Sequence, residues 1–375
     1  MKLFDVYPLY DVTPVSANGI EVIDEKGQKY LDFYGGHAVI SIGHSHPHYV
    51  ARLKDQLEKI GFYSNSIQNP LQNELAQKLG ELSGCDDYAL FMCNSGAEAN
   101  ENALKMASFH TGKAKVIAFN NSFHGRTSAA VAATDNPAIN APINQQQEVT
   151  FLPFNDTEAF EKAIASDDFC AVILESIQGV GGLDEPTTEF FQFVASTCKS
   201  HGVVLIADEV QSGFGRSGKF FAFQHHGIQP DIITIAKGMG NGFPVGGVLI
   251  HNSFRASYGL LGTTFGGNHL ACAATLSVLE VMEDENLIQN AAEVGNYLKE
   301  RAKELPQVKN VKGRGLMLGL EFDFEVSELR KALIHNQHMF TGGAKNKKLL
   351  RILPALNVTK NHIDLLLEGL KKELK

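Results

Sequence analysis

The sequence predicts an α/β protein with a mostly parallel, seven-stranded sheet flanked by helices. Three observations carry this expectation. Short β-branched runs alternate with amphipathic segments through the middle of the chain, and such alternation requires crossover connections. Two of those runs end on charged residues, at the strand ends where open α/β sheets bind ligands. The length of 375 residues, with 44% hydrophobic and 20% charged content, supports two intimate domains in an ordinary soluble composition.

The expected strands span 89–93, 115–119, 149–153, 171–175, 203–207, 232–236 and 246–250. Between them lie amphipathic segments such as 97–110 and 188–201, whose apolar stripes suit helices covering a sheet. The first 50 residues differ: 19–23 and 29–33, separated by DEKGQ, read as a hairpin. Toward the end, 287–304 is helical, 316–322 and 349–353 are strands, and a last helix begins near 360. The expected division is therefore 1–50 and 271–375 as two pieces of a smaller domain, around a large ligand-binding domain at 51–270.

A net charge of −9 argues against a nucleic-acid backbone as partner. Apolar runs are too short to span a membrane. The N-terminus MKLFDVYPLYDV has no apolar core of a signal peptide. The five cysteines are scattered and lack a CxxC pair, as expected of reduced thiols in a cytoplasmic protein.

The stretch VVLIADEVQSGFGRSGKFFAFQHHGIQPDIITIAKGMGNGFPVGG is the most informative. One apolar run delivers Asp208 and Glu209, the next Lys237. A carboxylate and a lysine brought to one crevice suit pyridoxal phosphate, which bonds a lysine and needs an acidic partner at its ring nitrogen. In FMCNSGAEANENALKMA, a strand ends, Ser95, Gly96 and Ala97 turn the chain, and a helix begins. Free N–H groups there suit a phosphate; an ordinary N-cap at Asn94 or Ser95 explains the same residues. In NSFHGRT, Phe123 or His124 suits an aromatic ring face. Arg126 offers a planar fork for a carboxylate, or is a surface arginine. Glu175 ends an apolar strand and needs a partner, for which Arg126 and Arg351 are candidates.

Three other segments invite functional readings. GFGRSG matches GxGxxG, but a dinucleotide site needs a helix opening there and an acid about 20 residues on. Asp231 follows Gly218 by only 13 residues and opens a strand, so the glycines are expected to shape a turn. HSHPH (His44, His46, His48) has no Cys or acidic cluster to complete a metal site; hydrogen-bonded imidazoles and no metal are expected. GTTFGGN places Thr263 and Thr264 in a glycine-rich turn, suited to a phosphate or to a plain loop.

In joint order and spacing, these motifs resemble the class III, ω-amino-acid branch of the fold type I pyridoxal phosphate aminotransferases. The resemblance runs from GIEVIDEKGQKYLDF through GHSHP, NSGAEANENALKMA, FHGRT, ADEVQSGFGRSGKFFA, PDIITIAKGMGNGFPVGG, TTFGGNHLAC and GRGLMLGLEF. It implies that Lys237 bonds the cofactor and moves the proton, and that Asp208 holds the pyridinium proton. Val210 and Phe123 would pack on the ring faces, and Gln211 would reach the ring hydroxyl. Ser95, Gly96 and Ala97 would cradle the phosphate, with Thr264 added from a second subunit of a homodimer. Arg126 would bind the substrate α-carboxylate. Glu175 and Arg351 would form a switch: paired for the ω-amine, unpaired for glutamate. FHGRT and the compact C-terminus are most similar to the branch acting on N-acetylornithine in arginine biosynthesis, with 2-oxoglutarate and glutamate as the second pair. Ornithine, 4-aminobutyrate and succinylornithine are alternative substrates, and a silent binding protein on the same fold is the non-enzyme alternative. The chain departs from the family at Ser176, Val180, Tyr34 and His37, which bears on the acyl group.

Overall fold

The computed structural model describes residues 1–166 and 168–375. The chain opens with β1 (Pro14–Asn18), β2 (Glu21–Asp24) and β3 (Lys29–Asp32), an antiparallel meander. The central strands follow: β4 (Tyr88–Cys93), β5 (Lys115–Phe119), β6 (Val149–Leu152), β7 (Phe169–Glu175), β8 (Val204–Asp208), β9 (Ile232–Ile235) and β10 (Gly246–His251). They form one seven-stranded sheet in the order β4-β10-β9-β8-β7-β5-β6. All seven were expected, within two residues at each end. Strands β7, β8 and β9 are buried along their whole length, which is why they read as continuous apolar runs.

β10 runs antiparallel to both of its neighbours. The link from β9 is residues 236–245, which holds only a short 3₁₀ turn. That is too short for a parallel crossover. The chain must therefore return beside β9, and Lys237 lies in this tight return.

The two ends of the chain meet. β13 (Met339–Phe340) adds to β3 in parallel, Met339 opposite Leu31. β11 (Asn310–Arg314), β12 (Met317–Glu321) and β14 (Leu349–Ile352) make a separate antiparallel sheet. The GFGRSG turn holds these pieces together. Arg216 is 2% exposed and donates to the carbonyls of Leu316 at 3.2 Å, Ile40 at 3.4 Å and Pro354. Gly215 and Gly218 take φ of 80° and 86°, which glycine adopts without strain. The imidazoles of HSHPH each meet a carboxylate: His44 with Asp32 at 2.9 Å, His46 with Glu285 at 2.9 Å and His48 with Glu280 at 2.6 Å.

After β3 the chain makes an unusual turn. Gly35, Gly36, His37 and Ala38 have φ of 56°, 56°, 70° and 63°. The amides of Ala38 and Val39 donate to the carbonyls of Tyr34 at 3.0 Å and Gly35 at 2.8 Å. This is one left-handed helical turn, and His37 and Ala38 each bear a strain of roughly 1–2 kcal/mol in it. Asp32 Oδ1 fastens its start by accepting from the amides of Tyr34 at 2.9 Å and Gly35 at 2.8 Å.

Candidate active site

The carboxyl ends of β7, β8 and β9 deliver their last polar residues side by side. Glu175 pairs in register with Asp208, and Asp208 with Thr234. Lys237 follows β9 at once. A cavity of about 360 Å³ lies over these ends, lined by Lys237, Asp208, Glu175, Gln211, Val210 and Phe123 among others. The N-terminus of the Gly96–Thr111 helix closes one side through Ser95, Gly96 and Ala97.

Asp208 is 4% exposed and firmly held. Its Oδ2 lies 2.7 Å from His124 Nδ1 and accepts from Asn100 Nδ2 at 2.8 Å; its Oδ1 accepts from the Val210 amide at 3.0 Å. Asn100 is itself fixed, donating to the His124 carbonyl at 2.7 Å and accepting from Thr234 Oγ1 at 2.7 Å. These bonds stabilise the ionised carboxylate and fix its direction.

Lys237 takes φ of 46°, a left-handed conformation that is strained for a residue with a side chain. Its amine has no hydrogen-bond partner among the described residues. Burial lowers its pKa below the usual lysine value, opposed by the charges of Asp208 and Glu175. Burial thus favours the free amine, the form that attacks a carbonyl, relative to a solvent-exposed lysine.

Ser95 Oγ accepts from the Glu98 amide at 3.2 Å, so the N-cap and the open helix end coexist. The amides of Gly96 and Ala97 have no partner within the described chain. A Cβ on Gly96 would come within 2.6 Å of Val210 Cγ1, and one on Gly125 within 2.8 Å of Ala97 Cβ. The bare backbone keeps this wall open.

Free helix-end amides for a phosphate, an anchored carboxylate for a ring nitrogen, an unpartnered amine for an aldehyde, and Val210 and Phe123 for ring faces together fit pyridoxal phosphate. Gln211 lines the same cavity, with Nε2 donating to the His37 carbonyl at 3.0 Å. Arg126 is exposed and also lines it. Thr264 is exposed and outside this lining.

Glu175 and Arg351, expected to alternate between a paired and an unpaired state, are unpaired here. Glu175 accepts from the amides of Phe123 at 2.9 Å and Gly179 at 2.8 Å. Arg351 lies behind the lining and donates from Nη1 to the Gly179 carbonyl at 2.8 Å. One residue, Gly179, thus links the two charged groups, giving its N–H to Glu175 and its C=O to Arg351. Burial and the charge of Asp208 push Glu175 up to about 7, against the pull of His124 and the two amides.

Sequence reasoning missed Asn100 and Thr234 and did not foresee His124 as the partner of Asp208. Asn100 left a signal. It lies on the stripe that buries Leu104 and Ala107, and a polar residue on an apolar stripe needs a buried partner. His124 Nε2 is buried without a hydrogen-bond partner among the described residues.

Comparison with known proteins agrees with this geometry. The aminotransferase class-III family matches residues 6–374. An acetylornithine aminotransferase of Bacillus subtilis (strain 168) is 42% identical, covering 100% of this chain and 97% of its own. One of Methanocaldococcus jannaschii is 39% identical, over 97% and 94% of the two chains. Among solved structures, the ornithine aminotransferase of Toxoplasma gondii ME49 superposes with a TM-score of 0.89 at 28% identity, covering 98% of this chain and 91% of that one. A Bacillus anthracis aminotransferase gives 0.90 at 26% identity, covering 99% and 95%. The cofactor of the family, pyridoxal phosphate, is the one these residues fit. With a full-length family match, relatives near 40% identity and a cavity built for that cofactor, the chain belongs to the class-III aminotransferases.

Proposed function

We propose that the chain moves the ω-amino group of an N-acylornithine, N-acetylornithine foremost, to 2-oxoglutarate, giving glutamate, in arginine biosynthesis. The observation that carries this reading is the buried, unpartnered amine of Lys237 in one cavity with the anchored Asp208 and with Arg126. The names of the similar curated enzymes support the acetylated substrate. When bound, pyridoxal phosphate supplies an electron sink for charge at the carbon bearing the amine. Lys237 Nζ takes the proton from that carbon and returns it. Asp208 holds the proton of the ring nitrogen. Ser95, Gly96 and Ala97 hold the phosphate; Val210 and Phe123 confine the ring; Gln211 faces its hydroxyl. Arg126 binds the α-carboxylate of the ornithine moiety, while Glu175 and Arg351 serve the acceptor half.

We further propose a cytoplasmic homodimer in which the partner subunit's Thr264 completes the phosphate site. Thr264 is exposed and away from its own cavity, and all five cysteines are buried free thiols. No helix among the described residues is long and apolar enough to cross a membrane.

The test is a panel of single half-reactions with acetylornithine, succinylornithine, ornithine and 4-aminobutyrate, each followed by cofactor absorbance. An N-acylornithine should react fastest. Free ornithine or 4-aminobutyrate reacting faster than both acylated compounds would overturn the substrate assignment.

A further inference from the structure

Arg351 is 3% exposed, and no carboxylate lies within ion-pair distance of it among the described residues. Its bonds all go to neutral oxygens. Nε donates to the Gly343 carbonyl at 2.5 Å, Nη1 to the Gly179 carbonyl at 2.8 Å and to Gln211 Oε1 at 3.4 Å, and Nη2 to the Tyr34 phenol at 3.1 Å. A buried guanidinium with neutral partners alone is poorly compensated, and it favours an incoming carboxylate. Glu175 does not fill that place, because two backbone amides hold it.

Tyr34 does. The guanidinium carbon sits 5.6 Å from its ring centroid, within cation–π reach. Its hydroxyl also lies 2.5 Å from His37 Nδ1. Burial, with Arg351 and Lys237 nearby, lowers the pKa of His37. The guanidinium can only donate, so the phenol oxygen accepts from Arg351 Nη2, and the phenol O–H is left to donate to Nδ1 in the tautomer that carries its proton on Nε2. The ring rests in a slot that glycine leaves open: a Cβ on Gly342 would collide with Cε2 and Cδ2 of Tyr34. Gly342 is bonded at 2.9 Å in both directions to Arg351, so slot and guanidinium are one unit. Tyr34 also lines a second cavity of about 660 Å³, which shares Val39 with the first. That space has room for a displaced ring.

We infer that Tyr34 is the gate over Arg351: its phenol occupies the N–H that a short dicarboxylate takes, and the dicarboxylate binds by displacing it. The inference rests on the amino-transfer reading above. A neutral phenol masks the arginine without cancelling its charge. The dicarboxylate therefore competes with one hydrogen bond and not with an ion pair, and Tyr34 sets its affinity as a positioning residue.

Glutarate, which carries neither amine nor ketone, tests this by calorimetry on the holoenzyme. Tyr34→Phe keeps the ring and removes the bond to be displaced. It should bind glutarate about tenfold more tightly than wild type. Its KM for 2-oxoglutarate should fall by a similar factor, with kcat of the acceptor half moving less than about twofold. Gly342→Ala, which evicts the ring, should shift glutarate binding the same way. Equal or weaker glutarate binding by Tyr34→Phe would overturn the gate, as would wild type failing to bind glutarate, or a shift confined to Glu175→Gln. Wild type that binds glutarate but does not convert 2-oxoglutarate would instead count against the proposed reaction, and the calorimetric comparison would still decide the gate.

Discussion

Asp208 is oriented by three hydrogen bonds within the chain itself. Removing the carboxylate has two separable consequences. Asp208→Ala strands the His124 and Asn100 donors in the interior, costing about 1–3 kcal/mol of stability for each. Asp208→Asn keeps one oxygen and loses the charge, so it is the cleaner variant. Loss of the charge partner in a buried site is worth about 3–5 kcal/mol, and turnover should drop roughly 10²- to 10⁴-fold. Steady-state rates, with circular dichroism as a check on folding, decide this; near wild-type turnover in Asp208→Asn refutes the role. Glu175 yields a pH prediction. Its folded value near 7 lies above the ordinary carboxyl value of 4.5. Its stabilising contribution is therefore whole below about 4.5 and is lost as pH rises through 7. Glu175→Gln does not titrate. In urea unfolding of the apo-protein, the stability of Glu175→Gln relative to wild type should rise between pH 5 and pH 8. A difference that stays flat across that range contradicts the raised value.

At the scale of elements, the helix Gly96–Thr111 presents two unpartnered amides beside Val210. Gly96→Ala would set a methyl 2.6 Å from Val210 Cγ1 and 3.0 Å from Cγ2. Crowding of this kind costs about 1–3 kcal/mol. Where Val210 yields into the cavity, the loss falls on the cofactor, and its dissociation constant should rise about tenfold. Titration of apo-protein with pyridoxal phosphate reads this directly; an unchanged constant removes Gly96 from the cradle. The elements themselves were largely legible. β7, β8 and β9 are continuous apolar runs because both faces are covered, and their terminal charges stand out for the same reason. The direction of β10 was not legible in its own residues, since a buried strand reads alike both ways. Only the short link 236–245 fixes it. The partners of Arg351 were hidden for a different cause: they depend on the path of residues 34–38 and 342–343. Four successive positive φ angles leave no periodic mark in a sequence.

Across the whole molecule, Arg216 ties three distant parts of the chain. Its carbonyl partners belong to Ile40, Leu316 and Pro354. The motif that imitates a dinucleotide fingerprint is thus an internal latch, and its glycines serve close packing: a Cβ on Gly218 would lie 2.9 Å from Ala292 Cβ, and one on Gly215 would lie 2.9 Å from Ile288 Cγ1. Arg216→Ala removes the Nη1 and Nη2 donors that these three carbonyls accept from and opens a cavity. A loss above about 3 kcal/mol follows from unsatisfied acceptors worth about 1–3 kcal/mol each. Urea denaturation should show it as a lower midpoint; a midpoint within error of wild type would mean that water replaces the guanidinium.

The turn at residues 35–38 is wound against the chirality of its own amino acids. Protein synthesis has one remedy for this, glycine, and uses it at the first two positions but not at His37 and Ala38. A mirror-image residue has no such conflict. Semisynthetic protein carrying D-alanine at position 38 should unfold at a higher temperature than the natural chain, by the equivalent of about 1 kcal/mol, whereas a right-handed segment there would make the same replacement harmful.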